Sequence, residues 1–416
     1  TTVNVGGGAL ALGSAGRLAS GAAVTVSNSG TLTLGGAESV SSLTLNGGTL
    51  GGSGNTLTAS TYALNGGTVT ADLGAGTATV SSGTTALDGA LAGTTVNVSG
   101  GSLNLGANNR LADGATVNVS SGALGMGTRT DTIGTLNVSG GSVTGSTGNK
   151  LTATTYNVTG GTVGANLGTG TLNANSGSAS LNGTADATTV NVGGGALTLG
   201  SAGRLASGAA VTVSNTGTLT LGGAESVSSL TLNGGTLGGS GNTLTASTYA
   251  LDGGTVTANL GTGAATATTG TTALNGNLGG SLTANGGTVN AGGTIGGNVT
   301  VGGGTVNLGA NDRMGNSAAV SITSGTLGMS TFNDTVGSFS ITGGTLGGSG
   351  TLTASTYALD GGTVTANLGA GTATASSGTT ALNGTLGATT VNVSGGTVNL
   401  GSNDRLANGA IVNVSS

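Results

Sequence analysis

The sequence predicts an all-β fold: a single-stranded parallel β-helix (β-solenoid) of about 22 coils, with 16 to 21 residues and three strand faces per coil. Three observations predict it: a long internal repeat, a period-two alternation of apolar residues, and Gly/Ser turns between the alternating runs. The repeat begins TTVNV at Thr1, Thr94, Thr188 and Thr389, and a diverged copy, VTVGGGTVNL, begins at Val299. A fixed long period indicates a repeat architecture rather than a set of separate domains.

One arginine marks the same point in every copy of the repeat, at spacings of 93, 94, 109 and 92 residues. Residues 281–298 add one coil, which accounts for the longest spacing. We therefore expect one continuous solenoid over 1–416, without a linker. The marker arginines are Arg17, Arg110, Arg204, Arg313 and Arg405. The long repeats are 1–93, 94–187, 188–298, 299–388 and, as a partial copy, 389–416.

The alternation predicts which side chains point into the solenoid. In the second copy, Val96 and Val98 fall on one face of a strand and Asn97 falls on the other. The same register recurs in the next four coils, so parallel strands stacked about 4.8 Å apart would form a buried column. The outward amides would stack as a ladder, each able to bond the next. This outward ladder comprises Asn97, Asn118, Asn137, Asn157 and Asn173.

Two further inward columns complete a triangular cross-section, and Gly-Gly and Ser-Gly pairs fall at its corners. The varied coil length favours a right-handed winding, because left-handed β-helices favour strict six-residue steps. The second column comprises Leu10, Leu12, Leu32, Leu34, Leu50 and Val69, and the third comprises Leu18, Val40, Leu57 and Leu73.

Composition indicates an ordered chain. Glycine makes up 92 of 416 residues, but mean hydropathy is +0.25, 5% of residues are charged and proline is absent. Disordered segments are usually poor in apolar residues and rich in charge. Cysteine and histidine are also absent, which removes disulfides, thiolate metal sites and any Ser-His pair.

The charge balance argues against nucleic acid as a partner. Net charge is −5, with seven basic residues, whereas a nucleic-acid binder needs a basic stripe. We find neither a run of 18 apolar residues nor a charged segment followed by an apolar core at the start, so neither a transmembrane helix nor a signal peptide is predicted. The sequence opens at a repeat start and stops within a fifth repeat. We therefore expect a segment of a longer protein or a subunit that stacks end to end.

One frame of the repeat resembles a known family. The lines DTIGTLNVSGG at 131–141 and ESVSSLTLNGG at 38–48, which recur as ESVSSLTLNGG at 225–235 and DTVGSFSITGG at 334–344, resemble the autotransporter-associated β-strand repeat. That family occurs in passenger regions of bacterial type V secreted proteins and other large surface proteins. The resemblance implies a secreted β-helix at the bacterial cell surface. It also implies that any membrane attachment runs through an anchor outside this sequence.

An acidic residue follows the marker arginine by 21 residues in each complete copy. This is about one coil, so the two could stack on adjacent turns. We interpret them as exposed ion pairs that keep register, worth about 0.2–1 kcal/mol each, with a ligand-binding charge array as the alternative. The pairs are Arg17 with Glu38, Arg110 with Asp131, Arg204 with Glu225, and Arg313 with Asp334.

The remaining acids argue against an enzyme. Polysaccharide-cleaving β-helices need clustered carboxylates, or a carboxylate beside a base, on one face. Here the acids are thinly spread and exchange with asparagine between copies, as Asn65 matches Asp252 and Asp72 matches Asn259. The glycine-rich string at 51–55 lacks the aspartate of a calcium-binding repeat. We therefore predict no catalytic residues, no metal site and no cofactor.

Two surface patterns have ordinary explanations. Tyrosines recur once per copy at an inward strand position, which favours core filling over an aromatic glycan-binding track. Outward threonine pairs on the second strand, such as Thr31 with Thr33, are similar to ice-binding surfaces. The pattern is broken by Gly51 and Gly125, so we do not expect ice binding from the sequence. The tyrosines are Tyr62, Tyr156, Tyr249 and Tyr357.

These observations favour a non-enzymatic extracellular bacterial rod that serves as a surface stalk or adhesin. The alternative is a subunit of an extracellular filament or sheath, formed by end-to-end stacking of solenoids through uncapped parallel edges. The expected partners are copies of the chain itself, or glycans and proteins of a cell surface or matrix. A glycan-processing enzyme would need a charged cluster that the sequence lacks.

Overall fold

The computed structural model describes residues 1–415, which divide into two units, 1–209 and 210–415. The described part of each unit contains strands and no helix. Every extended pairing between strands is parallel, so each unit is a parallel β-solenoid, and the two together comprise about 22 turns. This confirms the predicted fold class. The right-handed winding and the continuity of the solenoid across 1–416 stay predictions.

The strands of the first unit lie on three faces, named here in the order in which a turn visits them. Two long strands, Thr130–Thr144 and Lys150–Val163, run from the third face through the first to the second. The other first-face strands are Thr2–Val5, Ala23–Ser27, Ser42–Asn46, Thr61–Leu64, Thr77–Val80, Thr95–Val98, Thr116–Val119, Thr171–Asn173 and Thr189–Val192. The other second-face strands are Ala9–Ala11, Thr31–Thr33, Thr49–Gly51, Gly67–Val69, Thr84–Leu87, Ser102–Leu105, Ala123–Gly125, Ser178–Leu181 and Ala196–Leu199. The other third-face strands are Glu38–Ser39, Thr56–Thr58 and Asp72–Leu73.

The second unit repeats this arrangement. Two strands, Asp334–Ile341 and Thr351–Leu359, run from the third face into the first. The other first-face strands are Ala210–Ser214, Ser229–Asn233, Thr248–Leu251, Ala264–Ala267, Leu282–Ala284, Val299–Val301, Ala319–Ile322, Thr372–Ala375, Thr390–Val393 and Ile411–Val414. The second-face strands are Thr218–Thr220, Thr236–Gly238, Gly254–Val256, Thr271–Leu274, Thr288–Ala291, Thr305–Leu308, Thr326–Gly328, Thr345–Gly347, Thr363–Val364, Thr379–Leu382 and Thr397–Leu400. The other third-face strands are Glu225–Ser226, Thr243–Thr245, Asn259–Leu260 and Asn367–Leu368.

Strand register repeats the sequence register from turn to turn. Thr61 pairs with Thr77, 16 residues later, and Thr95 pairs with Thr116, 21 residues later, which match the predicted coil lengths. One turn is longer by a residue, since Ala9 pairs with Thr31, 22 residues later. Val117 lies between Val96 and Leu136 in an inward column, and its side chain is 0% exposed. Because side chains alternate across a strand, the Val and Leu positions fill the core and most Thr and Asn positions face outward. Thr85, Thr272 and Thr380 are exceptions, since they take inward second-face positions and are 0% exposed.

Glycines occupy corners where a side chain has no room. Gly67 has φ +106°, and a Cβ on it would lie far inside van der Waals contact with the carbonyl oxygen of Gly48 in the preceding turn. Only glycine takes this backbone conformation without strain. The Gly-Gly pairs therefore fix the corner between the first and second faces.

The third face is held mostly by single bridges, such as Leu73 with Leu91 and Leu91 with Leu111. Its predicted column is buried at Leu57 but only half-buried at Leu18. Leu10 pairs in register with the buried Leu32, as predicted for the second column, but its own side chain is 37% exposed. Among the described residues, the strand that carries Leu10 pairs with the strand of the following turn.

Candidate functional site

Buried carboxylates lie on the third face, one in each of the two complete long repeats of the first unit. The carboxylate of Glu38 accepts the backbone N–H of Arg17 on one oxygen and that of Leu18 on the other, both at 2.8 Å. Glu38 is only 3% exposed. These two N–H groups lie in the preceding turn, where the loop has no strand partner for them, so Glu38 clasps one turn to the next.

The aspartates at the equivalent positions make the same contact with one oxygen instead of two. Asp131 Oδ2 accepts the N–H of Arg110 at 2.7 Å and that of Leu111 at 3.2 Å. In the second unit, Asp334 Oδ2 accepts two N–H groups in the same way, at 2.7 and 3.0 Å. The other oxygen, Oδ1, is buried without a hydrogen-bond partner among the described residues in both cases. We call Glu38, Asp131 and Asp334 the carboxylate clasps.

Burial dominates the chemistry of the two aspartate clasps. It raises the pKa of Asp131 and of Asp334, because a charged carboxylate loses its hydration inside the protein. The backbone N–H groups that donate to the carboxylates act in the opposite direction on each pKa, but they do not cancel the effect of burial. Neighbouring Asp312 raises the pKa of Asp334 further.

Arg17, Arg110 and Arg313 therefore meet their acids through the backbone N–H, and not as the exposed ion pairs that the spacing predicted. The guanidinium of Arg110 turns away and donates to the carbonyl oxygens of Asn108 and Asp88, at 2.9 and 2.8 Å. Arg313 repeats this geometry, whereas Arg17 donates to the hydroxyl of Ser14. The physical reason is burial: an acid without access to water is better satisfied by fixed backbone N–H groups than by a mobile cation.

The charged contact described in the first unit involves other residues. Lys150 Nζ lies 2.7 Å from Asp186 Oδ2, and both side chains are nearly half exposed. Such a surface pair contributes little to stability. Arg204 belongs to the first unit and Glu225 to the second, so their predicted pairing stays a prediction. Glu225 is 3% exposed.

The outward asparagines form a hydrogen-bonded ladder on the first face of the first unit. The Nδ2 of each amide donates to the Oδ1 of the asparagine one turn earlier. The distances are 2.8 Å from Asn118 to Asn97, 2.8 Å from Asn137 to Asn118, 2.8 Å from Asn157 to Asn137, and 3.2 Å from Asn173 to Asn157. Asn191 extends the ladder by one turn, at 3.0 Å from Asn173.

The tyrosines are core residues with a bonded hydroxyl. Tyr156 is 0% exposed, its hydroxyl accepts the backbone N–H of Ala153 at 2.8 Å, and it lies 3.1 Å from the carbonyl oxygen of Leu151. Burial raises the pKa of Tyr156 to about 12. The other three tyrosines are 1% exposed. None of the four can serve as a surface platform for sugars.

Two polar grooves occupy equivalent places in the two units. The groove in the first unit has a volume of about 330 Å³ and is lined by Asn166, Thr184 and Arg204. The groove in the second unit, about 270 Å³, is lined by the matching Asn367, Thr385 and Arg405. In both, the threonine donates its N–H and its hydroxyl to the asparagine Oδ1, at 2.8 to 3.1 Å.

These asparagine–threonine contacts close the loops that follow the second face. The threonines end the strings Asn-Gly-Thr at 182–184 and 383–385, and the accepting asparagines, Asn166 and Asn367, lie one turn earlier. The sequence did not predict these contacts. The second-face threonine row is interrupted as expected, since Thr33 pairs with Gly51 and Asn104 pairs with Gly125.

No group of three or more acidic residues within 1–415 is placed to hold a metal ion. A search of the same residues finds no helix that could span a membrane. No family model, no curated protein and no solved structure matches the chain.

Proposed function

We propose that the protein is a non-enzymatic structural element of the bacterial cell surface, a stalk or adhesin outside the outer membrane. One observation carries the proposal: outward polar side chains bond from turn to turn, as in the ladder from Asn97 to Asn191. In an enzyme, polar side chains converge on a substrate, whereas here they repeat along the stack. This repetition suits a stiff element that spaces or displays a surface.

The carboxylate clasps also support a structural and non-enzymatic role. Glu38, Asp131 and Asp334 each satisfy two backbone N–H groups of the preceding turn, so these buried acids hold turns together. Acids that act as general acid or base need access to a substrate proton. The clasps are 2–3% exposed, which suits a structural role.

The resemblance to the autotransporter-associated repeat supports the cellular location. Each of its motif lines begins at an acid of the repeat and continues into a first-face strand, as 131–141 does within Thr130–Thr144. The motif thus coincides with one structural unit: clasp, corner and strand. We propose secretion to the cell surface, with attachment or matrix contacts as the role.

Immunogold electron microscopy of intact source cells tests this proposal. Gold label should lie outside the outer membrane on separate projections, and protease added to whole cells should remove it. Label confined to the cytoplasm would contradict the proposal. Continuous fibres with an axial repeat of about 4.8 Å would instead identify the protein as a filament subunit.

An attachment assay tests the adhesive part. Source cells carrying Val117→Asp, which places a charge in the core, should attach less than cells carrying the surface change Asn118→Ala. If a strain from which the gene is deleted attaches as well as the unmodified strain, the protein is not an adhesin. The proposal would then be limited to a role as a stalk.

A further inference from the structure

We propose that one outward surface of the first unit, the Thr-Asn array, binds ice. The array consists of two parallel rows on six successive turns of the first face. Each turn contributes one threonine and, two residues later, one asparagine, with a core residue between them. Its threonines are Thr95, Thr116, Thr135, Thr155, Thr171 and Thr189, and its asparagines are Asn97, Asn118, Asn137, Asn157, Asn173 and Asn191.

The strand register makes the array a two-dimensional lattice. Every threonine pairs with the threonine of the next turn, and every asparagine with the next asparagine, without a shift inside the array. Successive turns lie about 4.8 Å apart, and residues two apart on one strand lie about 6.7 Å apart. The turn spacing is close to the shorter repeat distance of a prism face of hexagonal ice, and the spacing along the strand is about a tenth shorter than the longer repeat distance. An ordered water layer can therefore meet one hydroxyl and one amide per lattice cell.

The side chains of the array are held in place before any ligand arrives. The turn-to-turn bonds between amides, such as that of Asn137 with Asn118 at 2.8 Å, fix the plane of each amide. One N–H of each amide remains for a partner outside the ladder. Threonine is stiff at χ1 because its β-carbon is branched. A prearranged surface binds with a smaller loss of side-chain entropy.

The threonine hydroxyls of the array remain available. None of the hydrogen bonds found among residues 1–415 uses the hydroxyl of Thr95, Thr116 or Thr135, and the same holds for the other three. Each threonine is half-buried between its neighbours in the row, so the hydroxyl and methyl groups form an even surface. Hydroxyls can donate to and accept from water, and the methyl groups offer small apolar contacts.

The chemistry of the array selects ice over other extended ligands. The array contains no charged residue, so a polyanion would lack counter-charges. It contains no aromatic ring, and Tyr156, in the same strand as Thr155, points inward at 0% exposure. Sugars that stack on aromatic faces therefore have no platform. A lattice of water requires only regularly spaced hydrogen-bonding groups, which is what the array offers.

The second unit provides an internal contrast. Its corresponding outward row begins Thr212, Thr231 and is then interrupted by Ala250 and again by Ala358. The array is therefore a local property of 95–191 and not a general consequence of the fold. The inference differs from the second-face threonine row, which glycines break, and it does not depend on where in the cell the protein resides.

The test uses the purified 416-residue chain, labelled with a fluorophore on its amino groups. A single-crystal ice hemisphere grown in its solution should become fluorescent, and the solution should freeze below its melting point. Thr135→Tyr, which raises a ring above the array, should reduce both signals severalfold. The matched control is Thr144→Tyr, an exposed position on the second face of the same strand, which should retain both signals.

Circular dichroism melting establishes that each variant is folded. If Thr135→Tyr unfolds, Thr135→Val replaces it, since valine keeps the branched shape and loses the hydroxyl. The proposal would be overturned if the ice grown with the unmodified chain is not fluorescent. It would also be overturned if folded Thr135→Tyr gives the same ice fluorescence and the same lowering of the freezing point as the unmodified chain. A third outcome would also overturn the proposal: the unmodified chain does not bind ice but self-associates, and Thr135→Tyr abolishes the self-association. The array would then be a contact surface for a second copy of the chain.

Discussion

The carboxylate of Asp131 accepts the backbone N–H of Arg110 at 2.7 Å, across the boundary between two successive turns. The two residues are 21 positions apart, and their side-chain charges do not pair. The arginine side chain bonds carbonyl oxygens of its own loop and of the turn before it, while its backbone is held by the turn after it. One residue thus links three turns, which explains why arginine and acid recur together.

Glu38 uses both carboxylate oxygens as acceptors and Asp131 uses one, which predicts that changing each residue to its amide has an unequal effect on stability. Glu38→Gln replaces one of two accepting oxygens by an NH2 group, so a buried N–H loses its partner at a cost of about 1–3 kcal/mol. Asp131→Asn can keep its accepting oxygen and place the NH2 at the unpartnered position, while removing a buried charge. We expect urea unfolding to show a larger loss of stability for Glu38→Gln than for Asp131→Asn, because the latter leaves an NH2 group without an acceptor but also removes a buried charge. The opposite order would contradict the clasp geometry.

The clasps also predict a pH dependence. The folded-state pKa of Asp131 is raised above its ordinary value of 3.8. In the pH range between 3.8 and the raised pKa, the folded chain therefore binds more protons than the unfolded chain. Stability must therefore fall as pH rises through this window and increase on acidification. Relative to Asp131→Asn, the parent should gain stability when the pH is lowered from 7 toward 4.

Asp252 should behave in the opposite way and serves as the comparison. Burial acts to raise the pKa of Asp252, but three hydrogen bonds from Thr268 and Thr269 outweigh it and lower the pKa below 3.8. Its contribution to stability is present above pH 3.8 and is lost as pH falls through the lowered folded-state pKa. Parallel pH-dependent shifts for Asp131→Asn and Asp252→Asn would be incompatible with these environments.

Substitutions at inward positions of a strand should destabilise the protein much more than substitutions at outward positions of the same strand. Val117→Asp puts an unpaired charge at a site that is 0% exposed, and we expect the surrounding turns to unfold. Asn118→Ala removes the amide bonds to Asn97 and Asn137, at about 0.5–1.5 kcal/mol each. Thermal melting and limited proteolysis compare the two. A Val117→Asp protein that melts like the parent would reverse the assigned strand faces.

Substituting a corner glycine should destabilise the protein where the backbone requires glycine. Gly67→Ala places a methyl group against the carbonyl of Gly48 at φ +106°, so we expect a loss of more than about 1 kcal/mol. Gly114→Ala is the matched control, because a Cβ there meets nothing within 4 Å and φ is not in the left-handed region. Chemical denaturation of both variants measures the difference, and equal stability would count against a steric role for the corner.

The tyrosine hydroxyl should stabilise the turn that it closes. Tyr156→Phe leaves the N–H of Ala153 without its 2.8 Å partner in a buried site, at a cost of about 1–3 kcal/mol. In the parent, ultraviolet titration should show no ionisation of Tyr156 until the pH approaches about 12, its raised pKa. Ionisation near the ordinary pKa of 10.0 in folded protein would place this residue at the surface.

The sequence alone determined the fold class, the coil length and the assignment of strand faces. Period-two alternation distinguishes inward Val117 from outward Asn118 without further information, because successive side chains on a strand point to opposite sides. The long repeat then fixes which residues stack, so the ladder from Asn97 to Asn173 could be written down from spacing. Repetition makes neighbours in space predictable from neighbours in sequence.

Only the tertiary structure decided how the stacked groups interact. Spacing placed Arg110 above Asp131 but could not show that the carboxylate is 2% exposed and takes backbone N–H groups in place of the guanidinium. It also could not show that Asp131 leaves one oxygen unpartnered while Glu38 uses both. The reason is physical. The repeat period specifies which residues are adjacent, whereas burial and loop geometry determine which hydrogen-bond donor contacts a buried acceptor.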